Sequence, residues 1–312
     1  MAFDNIVSRT DAQALMPEEV SNALLKDLAN DSAALTMFQS LPMSRKQTRM
    51  PVLSALPTAY FVVGDTGLKQ TTEANWSNKF LTAEEIACIV PIPDAVLEDT
   101  EMDAWGTVIP LCRQAIGRTL DAAVFFGANI PASWPTAIVT ASVANPPNNT
   151  VVRGTTAQAS GGIYGDLSAL YATVEAEGYD VTGLIANRSV KARLRNARST
   201  QGQKLDDSFT QEVEGAIKYP MRGLWPTGSG AAEVVAGDFS QGILGVRRDI
   251  TIDRSQEAVI QDNTGAIIYN SFQQDLTLVR LTARFAFQVA NVLNYDQPTE
   301  ANRYPFAVLT AP

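Results

Sequence analysis

The feature of the sequence that most constrains the fold is a long alternating run near its C-terminal end. The run DLTLVRLTARFAFQVANVL extends from Asp275 to Leu293, and every second position from Thr277 to Val289 reads Thr, Val, Leu, Ala, Phe, Phe and Val. Successive side chains of a β-strand point to opposite faces of its sheet, so this strict two-residue period predicts one long strand.

A second periodic run predicts a long helix. Between Ala104 and Gly127, apolar residues recur at steps of three and four positions: Trp105, Val108, Ile109, Cys112, Ile116, Leu120, Ala123 and Val124. This spacing places them on one face of a helix. Pro110 and Gly117 should weaken or bend the helix, and Gly127 is a suitable place for it to end.

Shorter elements surround these two runs. They comprise helices at 17–30, 166–177 and 188–197, and strands at 50–63, at 181–187, and in the runs that start at 83, 231, 242 and 304. Asn187 is placed to cap the helix that follows it. Because helices and strands do not alternate regularly along the chain, the predicted fold class is α+β.

The composition excludes several classes of chemistry. None of the 312 residues is His, which excludes Ser-His-Asp and Cys-His catalysis and every His-containing metal site. The net charge of −9 argues against attraction of the whole chain to nucleic acid phosphates. There is neither an apolar run of membrane-spanning length nor a signal peptide pattern, so we expect folding in a cytoplasm and no membrane partner.

Cys88 and Cys112 are the two cysteines of the chain, and each lies in an apolar run. They are far apart in the sequence, and two cysteines alone cannot build a zinc site. We expect two buried free thiols and no structural disulfide.

Five acidic residues precede the predicted long helix: Asp94, Glu98, Asp99, Glu101 and Asp103. A pair of such carboxylates can serve acid–base catalysis in a hydrolase that needs no His. Alternatively, acids near the start of a helix favour its dipole and stay solvated, which is the preferred interpretation.

A basic cluster contains Arg188, Lys191, Arg193, Arg195, Arg198 and Lys204. It can contact nucleic acid, contact the acidic groups of a partner, or form a plain solvated helix face. No aromatic residue interleaves with it, so stacking on single-stranded nucleic acid is not indicated.

Two charged residues stand three positions apart on the predicted long helix. Arg118 and Asp121 can form an ion pair along the helix, or either can reach another chain.

Three longer runs carry a family resemblance. They are EIACIVPIPDAVLEDTEMDAWGTVIPLCRQAIGRTLDAAVFFG from Glu85 to Gly127, VVAGDFSQGILGVRRDITIDRSQEA from Val234 to Ala258, and NSFQQDLTLVRLTARFAFQVAN from Asn270 to Asn291. In this order they resemble the Hong Kong 97-type phage major capsid proteins. The first run resembles the family's spine-helix region, in which PI-x-D-x-x-L-x-D precedes a long helix with IGR-x-x-D-x-A-x-x-x-G.

The resemblance implies a Hong Kong 97-type capsid fold. Residues 1–31 would form an N-terminal arm with the first helix, and 50–83 an extended loop. Residues 84–160 and 252–312 would form the peripheral domain, which contains the spine helix, and 161–251 the axial domain.

The extended loop explains the polar stretch VVGDTGLKQTTEANWSNKF, from Val62 to Phe80. A polar segment this long has little to bury on its own chain, and a Trp inside it makes sense if another chain supplies the contact. The alternative is a self-packed surface loop. The contact residues implied for the loop are Asp65, Lys69, Glu73 and Trp76.

Three further sets of residues follow from the resemblance. They are Glu98, Asp99, Arg118 and Asp121 of the spine-helix region, the axial-domain cluster Arg188, Lys191, Arg195 and Arg198, and Phe272, Asp275 and Arg284 of the peripheral strand.

Some members of the family join subunits by an isopeptide bond between a loop Lys and a neighbour's Asn, helped by a Glu. Lys69 can stand for the Lys, but a gapless alignment from Phe272 puts Asp275 at the Asn place and Thr282 at the Glu place. A carboxylate resists attack by an amine, and no ammonia can leave. We therefore predict no autocatalytic cross-link.

The implied function is mechanical. The resemblance implies a non-enzymatic major capsid protein, located in the virion, whose pentamers and hexamers close into an icosahedral-type shell around double-stranded phage DNA. No cofactor is expected, and separate scaffolding, portal and decoration proteins are possible partners. The alternative within the fold is an encapsulin-type nanocompartment shell, and the alternatives outside it are a carboxylate hydrolase and a nucleic-acid-binding module.

Overall fold

A computed structural model describes the chain over 32–62, 69, 71–72, 74–99, 104–144, 148–205, 213, 216–220 and 223–312. The predicted N-terminal arm and first helix, 1–31, lie outside the described residues. So do Asp65, Glu73, Glu101 and Asp103, and the side chains of Glu98 and Asp99.

The described elements mix strands and helices without regular alternation. The strands are β1 (Gln39–Pro42), β2 (Gln47–Ala55), β3 (Asn75–Thr82), β4 (Glu84–Pro93), β5 (Thr150–Val152), β6 (Gly183–Ala186), β7 (Ile217–Lys218), β8 (Ala232–Gly237), β9 (Gly242–Ser255), β10 (Val259–Gln261), β11 (Ile267–Asn270), β12 (Leu276–Val289) and β13 (Phe306–Thr310). The α-helices are α1 (Ala33–Met37), α2 (Asp94–Asp99), α3 (Ala104–Phe126), α4 (Ile138–Ala144), α5 (Ile163–Glu175), α6 (Arg188–Asn196) and α7 (Ser271–Gln274). The predicted α+β class is confirmed.

Strand β12 lies inside a four-stranded sheet with the order β1-β9-β12-β4. It is antiparallel to both neighbours, with Leu281 opposite Ile252 of β9 and Cys88 of β4. The alternating set from Thr277 to Val289 is buried throughout, whereas the other face exposes Arg280 and Arg284. The predicted long strand is therefore confirmed, and its two-residue period separates a fully buried face from a partly solvated one.

Helix α3 covers the buried face of this sheet. Trp105, Val108, Cys112, Ile116 and Leu120 share one hydrophobic core with the inward residues of β12. The helix ends at Phe126, and Gly127 follows with φ +73°, the left-handed conformation that glycine adopts without a steric penalty. The predicted helix and its end are confirmed.

A five-stranded sheet with the order β5-β13-β8-β6-β7 forms a second layer. Helices α5 and α6 pack on it around a separate core that includes Leu167, Leu170, Val190 and Leu194. Asn187 caps α6 as predicted, since its side chain accepts from the Ser189 N–H. Strands β5 and β13 come from outside the 161–251 range, because the C-terminal strand β13 pairs with β8. The assignment of sequence ranges to capsid domains stays a prediction.

Strands β2 and β3 form a two-stranded antiparallel ribbon. Its base is fixed to the body by Leu81, which is fully buried beside Met43, Ala83 and Ala286. Lys79 reinforces this base, because its Nζ donates to the Val289 carbonyl at 3.2 Å. The strand predicted at 50–63 is shorter at its C-terminal end, since β2 ends at Ala55.

The two cysteines are not separated in space. Cys88 lies on β4 and Cys112 on α3, and their Sγ atoms are 3.7 Å apart. Both are free thiols, but Cys88 is only partly buried. The expectation of two free thiols is confirmed, whereas the expectation that both are buried is wrong for Cys88. The contact arises because α3 packs directly across β4, which sequence distance does not reveal.

Phe38 joins the two sheets. Its ring stacks on Phe125 of α3, on Phe287 of β12 and on Phe239, with centroid separations of 5.6 to 5.8 Å. It also meets Phe306 of β13 edge-on at 6.3 Å. One side chain thus contacts the long helix and both sheets.

We predict that Phe38→Ala lowers the free energy of unfolding by about 3–5 kcal/mol, because it leaves a cavity between close-packed rings. Denaturant unfolding of the purified subunit measures the loss. The matched control is Phe61→Ala, since Phe61 is 100% exposed and its removal leaves no cavity. Equal effects of the two substitutions would show that Phe38 does not hold the layers together.

Candidate intersubunit surfaces

The ribbon presents large apolar side chains to solvent. Trp76 is 68% exposed and lies opposite Leu53 in the β2–β3 register. Phe80 is 46% exposed on the same strand, and Phe61 is fully exposed beyond the end of β2. Neither strand has a further partner strand among the described residues. An isolated two-stranded ribbon is at best marginally stable in water, so this geometry favours a contact from outside the chain.

Sequence reasoning identified Trp76 but missed Phe61 and Phe80. The segment that contains Phe61 was interpreted as the end of a strand, although β2 ends six residues earlier. The sequence signal for Phe61 is the apolar run AYFVV, which leads into the polar stretch. Apolar and polar residues do not alternate in this run, so the pattern assigns it no buried face. Lys69 is exposed, as a loop residue available to another chain must be.

A second exposed surface lies at the start of β12. Phe272 is 79% exposed on the short helix α7, which directly follows the β10–β11 hairpin. Asp275 has φ +48°, and its carbonyl accepts from the Asp94 N–H at 2.8 Å. Arg284 binds Glu85 of β4 with two hydrogen bonds of 2.6 and 2.8 Å. Phe272 and Asp275 therefore lie close together on the surface, whereas Arg284 is paired within its own chain.

Some side chains of the basic cluster are paired within the chain, and others are exposed to solvent. Arg193 and Arg153 both bind Oε2 of the largely buried Glu233, at 2.5 and 2.7 Å. Lys191 lies over the ring of Tyr219 at 5.7 Å, a cation–π arrangement. The exposed members of the cluster are Arg188, Lys191, Arg195, Arg198 and Lys204.

Asp121 is buried at the contact between α3 and α1, with an exposure of 1%. Its carboxylate accepts from Ser32 Oγ at 2.7 Å and from the N–H groups of Ala33 and Ala34 at 2.9 and 3.0 Å. Burial raises the pKa of Asp121 to about 6, and these hydrogen bonds oppose the rise. The carboxylate fixes the chain at the point where the described part begins.

The predicted ion pair between Arg118 and Asp121 along the helix is wrong. Arg118 is exposed and donates to the Gly223 carbonyl at 2.9 Å, while Asp121 points into the protein. Three positions along a helix leave the two side chains about 60° apart around its axis, and here the edge of the buried face falls between them.

Of the five acidic residues before α3, only Asp94 has a described side chain, and it accepts a hydrogen bond from Thr277 Oγ1 at the start of α2. Within the described ranges, no group of three or more His, Cys, Asp or Glu side chains is placed to hold a metal ion. None of the described helices combines the length and apolarity needed to cross a membrane.

Comparison with known proteins identifies the chain's relatives. The model of the phage capsid family matches residues 12–292. The chain belongs to the phage capsid family. A solved structure from Microbacterium phage Oxtober96 is 34% identical, with a TM-score of 0.79 over 98% of this chain and 99% of that chain. One from Mycobacterium phage Bobi is 29% identical, with a TM-score of 0.78 over 98% and 99%.

A more distant structure shares the fold. The capsid of a native GTA particle computed with C5 symmetry is 15% identical, with a TM-score of 0.64 over 88% of each chain. A comparison with curated proteins finds no match.

The capsid family membership establishes the kind of function. The chain is a structural major capsid protein located in the virion, and such proteins assemble into a multi-subunit shell of capsomers. The predicted Hong Kong 97-type fold is confirmed over nearly the whole chain. The encapsulin-type alternative is not favoured, because the similar structures come from phages and the matching family model is that of phage capsids.

We predict that the buried carboxyl of Asp121 makes the stability of this capsid protein depend on pH. The folded-state pKa of Asp121 is raised from 3.8 to about 6, so its contribution to stability is complete below pH 3.8 and is lost as the pH rises through about 6. The shift corresponds to about 3 kcal/mol.

Asp121→Asn removes this titration. Between pH 4 and 7, the unfolding free energy of the wild type should therefore fall relative to that of the variant. Denaturant unfolding at several pH values measures the difference. The control is Asp180→Asn, since Asp180 is exposed. Parallel pH profiles for the wild type and Asp121→Asn would contradict the assignment.

Proposed function

We propose that this capsid protein forms pentamers and hexamers that close into an icosahedral-type shell around double-stranded phage DNA. The observation that carries the proposal is the ribbon, whose Trp76 and Phe80 face solvent on strands that have no third partner strand in the described part of the chain. Each ribbon lies over the neighbouring subunit and buries these side chains there. Closed rings and shells then follow from repeated head-to-tail contacts.

Several features support this role for the ribbon. Its base is anchored by the buried Leu81 and by Lys79, which also lies 3.2 Å from Glu300. Its outer part is exposed on both strands. A rigid base with an apolar outer part is suited to reach another subunit, and burial of a Trp and a Phe stabilises such a contact by about 2–3 kcal/mol each. Weak contacts of this kind add up over a shell.

The domain roles follow the two sheets. The five-stranded sheet with α5 and α6 forms the axial domain around the five-fold and six-fold axes. The four-stranded sheet with α3 forms the peripheral domain. Residues 1–31 act as the N-terminal arm, starting from the Asp121 anchor at Ser32. The exposed charges of Arg188, Lys191, Arg195 and Arg198 meet acidic groups of neighbouring subunits.

The net charge of −9 limits binding to host DNA before assembly. Assembly therefore takes place in the host cytoplasm without sequestration of free subunits on nucleic acid. Scaffolding, portal and decoration proteins are separate partners of the shell.

We predict that Trp76→Ala weakens assembly without unfolding the subunit, because its side chain is mostly exposed in the isolated chain. Negative-stain electron microscopy and sedimentation velocity should show fewer closed particles, and circular dichroism should give an unchanged melting temperature within about 2 °C. The matched control is Tyr295→Ala, another exposed aromatic residue, 73% exposed and outside the ribbon. Normal particle yield from Trp76→Ala would refute the ribbon contact.

The chemistry at the family's cross-link positions supports a shell without isopeptide bonds. Thr282, at the Glu place, is 7% exposed and its hydroxyl hydrogen-bonds to that of Thr251 at 2.8 Å. It supplies no carboxylate to accept a proton from Lys69. Asp275, at the Asn place, offers no amide nitrogen as a leaving group.

Denaturing gels of assembled particles should therefore show one band at the subunit mass. Lys69→Ala should give the same pattern as the wild type. A ladder of covalent multimers that disappears in Lys69→Ala would overturn the prediction.

A further inference from the structure

Cys88 and Cys112 form a close thiol pair between the strand that follows the ribbon and the long helix. Cys88 lies on β4, which follows the ribbon strand β3 directly, and Cys112 lies on α3. Their Sγ atoms are 3.7 Å apart, and Cys112 is 4% exposed. Cys88 is the more accessible of the two.

We propose that this pair is an oxidation site, at which a small-molecule disulfide converts the two thiols into an intrachain Cys88–Cys112 disulfide. A disulfide bond is about 2.05 Å long, so the sulfur atoms must approach by about 1.7 Å from their separation of 3.7 Å. Shared between the two side chains, this approach is less than about 1 Å for each.

The reaction is thiol–disulfide exchange. The thiolate of Cys88 attacks one sulfur of oxidised glutathione, which forms a mixed disulfide and releases one glutathione thiolate. Cys112 then loses its proton as its sulfur attacks the Cys88 sulfur, so the Cys88–Cys112 bond forms and the Cys88–glutathione bond breaks. The two glutathione thiolates released in the two steps take up the two protons that the cysteines lose. The protein loses two hydrogen atoms, and one oxidised glutathione becomes two reduced ones.

The order of the steps follows from exposure. Burial raises the pKa of Cys112 to about 12, and the neighbouring Cys88 adds to the rise, so Cys112 remains a thiol at neutral pH. Cys88 therefore meets the oxidant first, and Cys112 resolves the mixed disulfide from within the protein. Close approach of the two sulfurs substitutes for a low pKa at the second step.

The redox state of the surroundings determines when the disulfide forms. Cytosolic glutathione keeps thiols reduced, whereas disulfides persist on virions and in extracellular media. The chain is a phage capsid protein, so it passes from the first environment to the second when the host lyses. The disulfide then ties the strand at the base of the ribbon to the long helix after assembly is complete. This timing rests on the proposed assembly in the cytoplasm, whereas the oxidation itself does not.

The test uses the full-length protein, reduced and then exposed to oxidised glutathione at neutral pH. Thiol titration under denaturing conditions should fall from two thiols to none, and the intact mass should decrease by two hydrogen atoms without a glutathione adduct. Peptide mapping should join the Cys88 and Cys112 peptides. Reductant should then lower the melting temperature by roughly 5 °C.

Two variants separate the roles of the thiols. Cys112→Ser should retain a glutathione adduct on Cys88, because no second thiol resolves it. Cys88→Ser should leave Cys112 unmodified, and reductant should not change its melting temperature. A stable adduct on Cys88 of the wild type, or disulfide-linked dimers in place of the intrachain bond, would overturn the proposal. Particle assembly does not enter these readouts, so failure of the shell contacts and failure of the oxidation site are distinguishable.

Discussion

The buried carboxylate of Asp121 is the interaction on which the organisation of the described chain depends. It receives three hydrogen bonds from Ser32, Ala33 and Ala34, and it thereby fixes α1 to the C-terminal part of helix α3. A buried carboxylate without such donors would cost several kcal/mol. Because α1 is placed this way, Phe38 directly after it reaches the gap between the two sheets. The carboxylate therefore positions α1 and, through it, the ring that completes the core.

The two sheets behave as one body because they share more than Phe38. Strand β8 belongs to the five-stranded sheet and β9 to the four-stranded sheet, and a single 3-10 helix, Phe239–Gln241, joins them. The ring of Phe239 from this turn packs on both Phe38 and Phe306. A short connection with a buried aromatic residue restrains the angle between the layers.

The sequence predicts best what depends on local periodicity. The long strand, the helix from Ala104 and the Asn187 cap all follow from patterns within one segment, and all are present. What sequence reasoning missed depends on contacts across the chain. The partners of Asp121 are separated from it by 87 to 89 positions, and β13 closes a sheet begun by strands far earlier. The contact of Cys88 with Cys112 was missed for the same reason. For the ribbon, the sequence identifies the polar stretch, but it places the exposed Phe61 in a strand that ends at Ala55.

The ribbon also couples folding to assembly. Its base is held by the buried Leu81, but towards Leu53 and Trp76 the two strands have only each other among the described residues. Each residue ordered in such a ribbon costs about 1–2 kcal/mol of conformational entropy, which two exposed strands do not recover from burial. Under the proposed contact, a neighbouring subunit that covers Trp76 and Phe80 supplies the missing burial, so full order of the ribbon and formation of the contact become one event. The subunit then gains its most rigid state only when its neighbours are in place.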